Sequence, residues 1–143
     1  MDLGPQPVLN PQQMATLGAR LATQLRAGDV LALTGDLGAG KTTLVRGICA
    51  ALGVDAELVS SPTFALCNQY ETPHFTIAHM DWYRLHGADD VQGAGLEELL
   101  AAPHTLCLVE WPENARDALP PQTIWLQLEL VPEGRRVTET QQK

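Results

Sequence analysis

The stretch Gly35-Asp36-Leu37-Gly38-Ala39-Gly40-Lys41-Thr42 decides the reading of this chain. It matches the P-loop pattern G-x-x-x-x-G-K-[ST] at every fixed position. The glycines let the backbone turn tightly and bring its N–H groups against phosphate oxygens. Lys41 offers a point charge to the β- and γ-phosphates, and the Thr42 hydroxyl can ligate Mg²⁺. The helix that follows such a loop aims its positive end at the anion.

The flanks supply the context that the pattern needs. Val30-Leu31-Ala32-Leu33 is a short apolar run, as a buried parallel strand should be. Leu44, Val45, Ile48 and Leu52 recur at helical spacing, and Gly53 stands where a terminating glycine belongs. Upstream, Asn10-Pro11 predicts a helix start, with Met14, Leu17, Leu21 and Leu25 on one face and Gly28 as its end.

Downstream, Phe64–Tyr70 and Phe75–Met80 read as strands. Glu71-Thr72-Pro73-His74 is too short a link for anything but an antiparallel hairpin. Leu96–Ala101 reads as a short helix, and Leu106–Val109 as a second buried strand that ends at Glu110. Ile124–Val131 reads as a further strand, while residues 1–9 and the polar tail from Arg135 read as flexible. The expected fold is α/β: a three-layer P-loop sandwich with a mainly parallel central sheet and an antiparallel hairpin.

An NTPase also needs an acid to support Mg²⁺ and a group that senses the γ-phosphate. An apolar strand that ends in an acid is the Walker-B arrangement, and Leu106–Glu110 fits it with Glu in place of the usual Asp. Asp81 ends the other apolar strand, at the edge where open α/β sheets place ligands. It reads equally as a water-orienting carboxylate or a turn-initiating Asp. Thr63, after Pro62, stands where switch threonines occur, and by position alone a plain turn residue is the simpler reading.

Composition narrows the function. At 143 residues and 45% hydrophobic content, one domain with a real core is expected. No apolar run is long enough to span a bilayer, and the first residues lack the basic flank and apolar core of a signal peptide. Cys49, Cys67 and Cys107 are odd in number and far apart, which suggests buried free thiols and fits a reducing cytoplasm. Nine Lys and Arg stand against 17 Asp and Glu, for a net charge of −8. Lys41 and Lys143 are the only lysines. Such a chain lacks the cations needed to grip RNA or DNA alone.

His74, His79, His86 and His104 show no zinc-ligand spacing with the cysteines and read as structural or exposed. Asn114-Ala115-Arg116-Asp117 is superficially like the guanine-reading N-K-x-D pattern but lacks its lysine, which favours adenine. A small-molecule P-loop kinase is the competing class. It calls for an arginine-rich lid, and between Glu110 and the tail at Arg135 the chain holds only Arg116.

Five motifs occur in order: G-D-L-G-A-G-K-T-T (35–43), S-P-T-F (61–64), H-x-D-x-Y-R-L (79–85), G-L-E-E-L (95–99) and E-W-P-E (110–113). Together they resemble the TsaE family, also called YjeE: P-loop ATPases of bacterial tRNA threonylcarbamoyladenosine (t6A) biosynthesis. The resemblance runs from the first helix to the last strand. It implies that Asp36, Leu37, Gly38, Ala39, Gly40, Lys41, Thr42 and Thr43 cradle ATP or ADP. It implies that Thr42 and Glu110 serve Mg²⁺, that Thr63 is a switch threonine, that Asp81 is required for hydrolysis, and that Trp111 lies beside the site. It also implies a TsaB–TsaD heterodimer as partner, with tRNA met only through that complex. The polar tail departs from the family pattern, where a final strand should carry on.

Overall fold

The computed structural model describes residues 1–62 and 64–141. Its centre is a six-stranded sheet in the order β2-β3-β4-β1-β5-β6. The strands are β1 (Val30–Thr34), β2 (Cys67–Glu71), β3 (Thr76–Asp81), β4 (Thr105–Glu110), β5 (Ile124–Val131) and β6 (Gly134–Thr140). β3, β4, β1 and β5 run parallel, and β2 and β6 close the two edges antiparallel.

Side-chain alternation sorts the apolar residues into two layers. Leu31, Leu33, Leu106 and Leu108 face the helices α1 (Pro11–Ala22) and α2 (Lys41–Ala51). Val30, Ala32, Cys107 and Val109 face the other layer, with Trp82, Val91 and Leu100. That layer holds the short helices α3 (Ala88–Gly93) and α4 (Glu97–Ala101). The expected three-layer α/β architecture is therefore the observed one.

α1 begins as expected: the Asn10 side chain accepts a hydrogen bond from the Gln13 N–H at 2.8 Å, with proline in the first turn. It stops at Ala22, short of Gly28, and Leu25 packs into the core from the turn that follows. α1 and α2 touch without intervening side chains. A Cβ on Gly18 would lie 2.7 Å from the Ile48 nitrogen, and one on Gly47 would lie 2.9 Å from the Ala15 Cα. This close crossing fixes α2, and with it the loop at its N-terminus.

Three further expectations are corrected. The tail from Arg135 is β6, paired with β5 from Trp125↔Thr140 to Val131↔Gly134. Its one inward apolar side chain, Val137, is buried. Residues 1–9 are held against the same strand. Val8 and Arg135 exchange backbone hydrogen bonds of 2.7 and 2.8 Å, and the Gln6 side chain accepts from the Val137 N–H at 2.9 Å. The Met1 ammonium pairs with Glu139, and Arg20 with Asp2 at 3.0 Å. The hairpin is shifted as well: β2 starts at Cys67, because residues 64–66 form a turn with Leu66 at φ 66°. Among the described residues no helix is long and apolar enough to cross a membrane.

Candidate functional site

The loop 35–40 joins the C-terminal end of β1 to α2, as the strand–loop–helix reading requires. Gly40 precedes the helix at φ 101°, a conformation that L side chains rarely adopt. A Cβ there would also press to 2.9 Å from Met14 Cε, a flexible side-chain end that can shift, so the backbone conformation is what requires glycine.

Lys41 is 5% exposed despite its charge. Its Nζ donates to the Gly35 carbonyl and lies 3.5 Å from the centroid of the Trp111 ring. Burial pushes the Lys41 ammonium below the usual lysine range, and the nearby carboxylates of Glu110, Glu113, Asp81 and Asp36 oppose that shift.

The parallel register brings the two candidate acids together. Asp81 on β3 pairs with Glu110 on β4, and Glu110 pairs with Leu33 on β1. Both carboxylates thus stand at the C-terminal edge of the sheet, next to the loop, and both are buried. The Thr42 hydroxyl lies 3.2 and 3.3 Å from the Glu110 oxygens. His79 Nε2 lies 2.5 Å from Glu110 Oε2. Asp81 accepts from the Ser61 hydroxyl at 3.1 Å and from the Tyr83 N–H at 2.9 Å.

Trp111 follows Glu110 in a left-handed conformation, φ 57°. This turns the indole back over the loop and edge-on to Tyr83, with ring centroids 5.0 Å apart. Asn114, from the N-A-R-D stretch, donates to the Trp82 and Tyr83 carbonyls at 3.0 Å each. It braces the segment 112–118 against the end of β3.

These groups line one cavity of about 600 Å³, within the usual range of a small-ligand site. Leu37, Gly38, Gly40, Lys41, Thr42, Thr43, Asp81, Glu110 and Trp111 all reach it. Asp36 and Ala39 shape the loop from outside the lining, through an Ala39 N–H to Asp36 carbonyl bond of 3.1 Å. Thr63 lies outside the described residues.

Asn10, Met14, Ser61, Tyr83 and Arg135 also line the cavity, and sequence reasoning assigned none of them. Arg135 is the main omission. From β6 its guanidinium donates to the Gly38 carbonyl at 3.0 and 3.2 Å. The available signal was Val131-Pro132-Glu133-Gly134, a short glycine-bearing turn after a strand. Arg84, of the H-x-D-x-Y-R-L motif, stacks on the Phe64 ring at 4.4 Å and does not line the cavity.

The donor set suits Mg²⁺. One hydroxyl and one carboxylate are hard oxygen ligands, and Mg²⁺ is commonly held by one or two such groups together with substrate phosphates. Among the described residues no group of three or more His, Cys, Asp or Glu could hold a metal ion by itself. The pair Thr42–Glu110 alone is too few ligands for a dedicated metal cage and leaves most positions of a cation open to a phosphate-bearing ligand and water.

Fold and loop place the chain in the P-loop class of α/β proteins. Residues 8–138 match the family model described as threonylcarbamoyl adenosine biosynthesis protein TsaE. The chain is similar to the tRNA threonylcarbamoyladenosine biosynthesis protein TsaE of Rickettsia bellii, 37% identical over 94% of this chain and 93% of that protein. It is 36% identical to the TsaE of Bacillus subtilis, over 81% of this chain and 71% of that one. The crystal structure of YdiB from Bacillus subtilis superimposes with a TM-score of 0.74 at 30% identity, covering 92% of this chain and 80% of that one. The chain belongs to the TsaE family.

Proposed function

We propose that this chain binds ATP with Mg²⁺ and hydrolyses it, and that the cycle serves t6A formation on tRNA through a TsaB–TsaD heterodimer. The observation that carries the reading is the meeting of Lys41, Thr42, Glu110 and Asp81 in one cleft at the C-terminal edge of the sheet. The family's part in t6A biosynthesis supplies the pathway.

The roles follow from chemistry and position. Loop amides and Lys41 hold the phosphates. Thr42 and Glu110 would hold Mg²⁺, which when bound would spread the charge that develops on the phosphoryl oxygens. Asp81, held on both oxygens by Ser61 and the Tyr83 N–H, orients a water toward the γ-phosphorus. A water O–P bond forms, the bond from the γ-phosphorus to the β-phosphate oxygen breaks, the water's proton passes to the phosphate or to solvent, and ADP and phosphate result. The wall formed by Asn10, Met14 and Arg135 is left for the nucleoside part of the ligand.

Association with partners explains the charge. At −8 the chain is a poor tRNA binder, and TsaB–TsaD would hold the RNA. No arginine other than Arg135 lines the cleft among the described residues, so hydrolysis should be slow until a partner supplies charge or order. Calorimetry tests the core of the reading. ATP·Mg²⁺ should bind the wild type, and Lys41→Ala should bind about one to two decades more weakly. Equal affinity in the two proteins would remove the P-loop assignment.

A further inference from the structure

His79 is a polar ring in the middle of an apolar strand. It is fully buried on β3 between Ala78 and Met80, which are also fully buried. A buried polar group is costly unless it is paired. The partner here is Glu110, with Nε2 to Oε2 at 2.5 Å. The other ring nitrogen, Nδ1, meets no hydrogen-bond partner among the described residues. An unmatched lone pair is tolerated better than an unmatched N–H, so the network assigns the hydrogen to Nε2. His79 therefore donates and Glu110 accepts.

Thr42 approaches the same carboxylate from α2, at 3.2 and 3.3 Å. Glu110 is thus gripped from the sheet by His79 and met from the loop helix by Thr42. A glutamate has three rotatable bonds, and holding them before a cation arrives lowers the ordering cost of binding.

We propose that His79 is a positioning residue that presents the Glu110 carboxylate to the nucleotide's Mg²⁺. The inference rests on the nucleotide reading above. Partners of this kind typically change metal affinity by about 10–100-fold when removed. A histidine that only fills the core would alter stability and leave metal dependence untouched.

The test is a Mg²⁺ titration of the affinity for a non-hydrolysable ATP analogue in wild type, His79→Leu and His79→Gln. His79→Leu should need about 10–100-fold more Mg²⁺ for half of the full strengthening, and its affinity in chelator should match wild type. His79→Gln keeps an amide donor and should recover most of the loss. Identical Mg²⁺ dependence in wild type and His79→Leu overturns the proposal and leaves the nucleotide reading standing. A wild type that ignores Mg²⁺ overturns that reading as well. Should His79→Leu fail to fold, the wild type decides. Its His79 ring ¹⁵N resonances should move when Mg²⁺ joins the bound analogue, and resonances that stay put overturn the proposal.

Discussion

The ammonium of Lys41 lies 3.5 Å from the centroid of the Trp111 ring, so the P-loop lysine is covered by the residue that follows Glu110. A cation over an indole gains about 0.5–2 kcal/mol, and a charge-assisted bond to phosphate gains about 1.5–3 kcal/mol. Phosphate should win Lys41 from Trp111. Nucleotide binding should therefore change the fluorescence of Trp111. Trp82 and Trp125 are buried away from the cavity lining and would give a steady background. The ATP-dependent change should be present in wild type and absent in Trp111→Phe; an equal response in both would rule out Trp111 as the reporter.

Asp81 and Glu110 are neighbours in register yet should fail differently when removed. Asp81 meets the attacking water in the proposed mechanism, so Asp81→Ala should bind ATP normally and lose about 10²-fold or more in kcat. Glu110→Ala should in addition shift the Mg²⁺ requirement upward. Steady-state kinetics across Mg²⁺ concentrations, paired with calorimetry, separates the two. Wild-type turnover in Asp81→Ala would refute its role.

Arg135 links the last strand to the loop through the Gly38 carbonyl, and Val8 brackets the same residue through the backbone. Arg135→Ala removes two hydrogen bonds to one carbonyl and a positive charge beside the cleft. ATP affinity should fall by about 3–30-fold, with the melting temperature changed little because the backbone pairing survives. Isothermal titration and a thermal melt read the two effects separately. Unchanged affinity would make Arg135 a loop brace only.

Burial pushes the Cys49 and Cys107 thiols up to about 12, and Cys67 to about 11. The folded thiols keep their protons where unfolded ones, near 9.0, lose them. The contribution of the buried Cys49 and Cys107 is complete below pH 9 and is lost as pH rises toward 12, by up to about 1.4 kcal/mol per pH unit for each of the two. Denaturant midpoints should fall across that window, less steeply in Cys49→Ala. At pH 8 a thiol reagent should label the native chain very slowly and the unfolded chain completely.

How far the sequence carried depends on whether a residue's partner was local. The loop, β1, α2 and the Asn10 cap were legible because each rests on residues within one or two turns of each other. Glu110 and Asp81 were legible as acids that end apolar runs, although only the sheet register makes them neighbours. β6 was not legible, because an edge strand with the single buried apolar residue Val137 has almost no pattern to read. The N-terminal arm failed for a related reason: its partners, Arg135, Val137 and Glu139, lie at the other end of the chain. His79 looked like a stray histidine, since the carboxylate that explains it is 31 residues away.

Nucleotide turnover in this cleft should sustain repeated t6A formation. The most direct measurement counts t6A formed per TsaB–TsaD heterodimer, with tRNA, activated threonylcarbamoyl donor and ATP in excess. Wild-type chain should carry the heterodimer through many cycles while ATP is consumed, and Lys41→Ala should leave it stalled near one modification each. Equal counts with wild type, Lys41→Ala and no added chain would contradict the account.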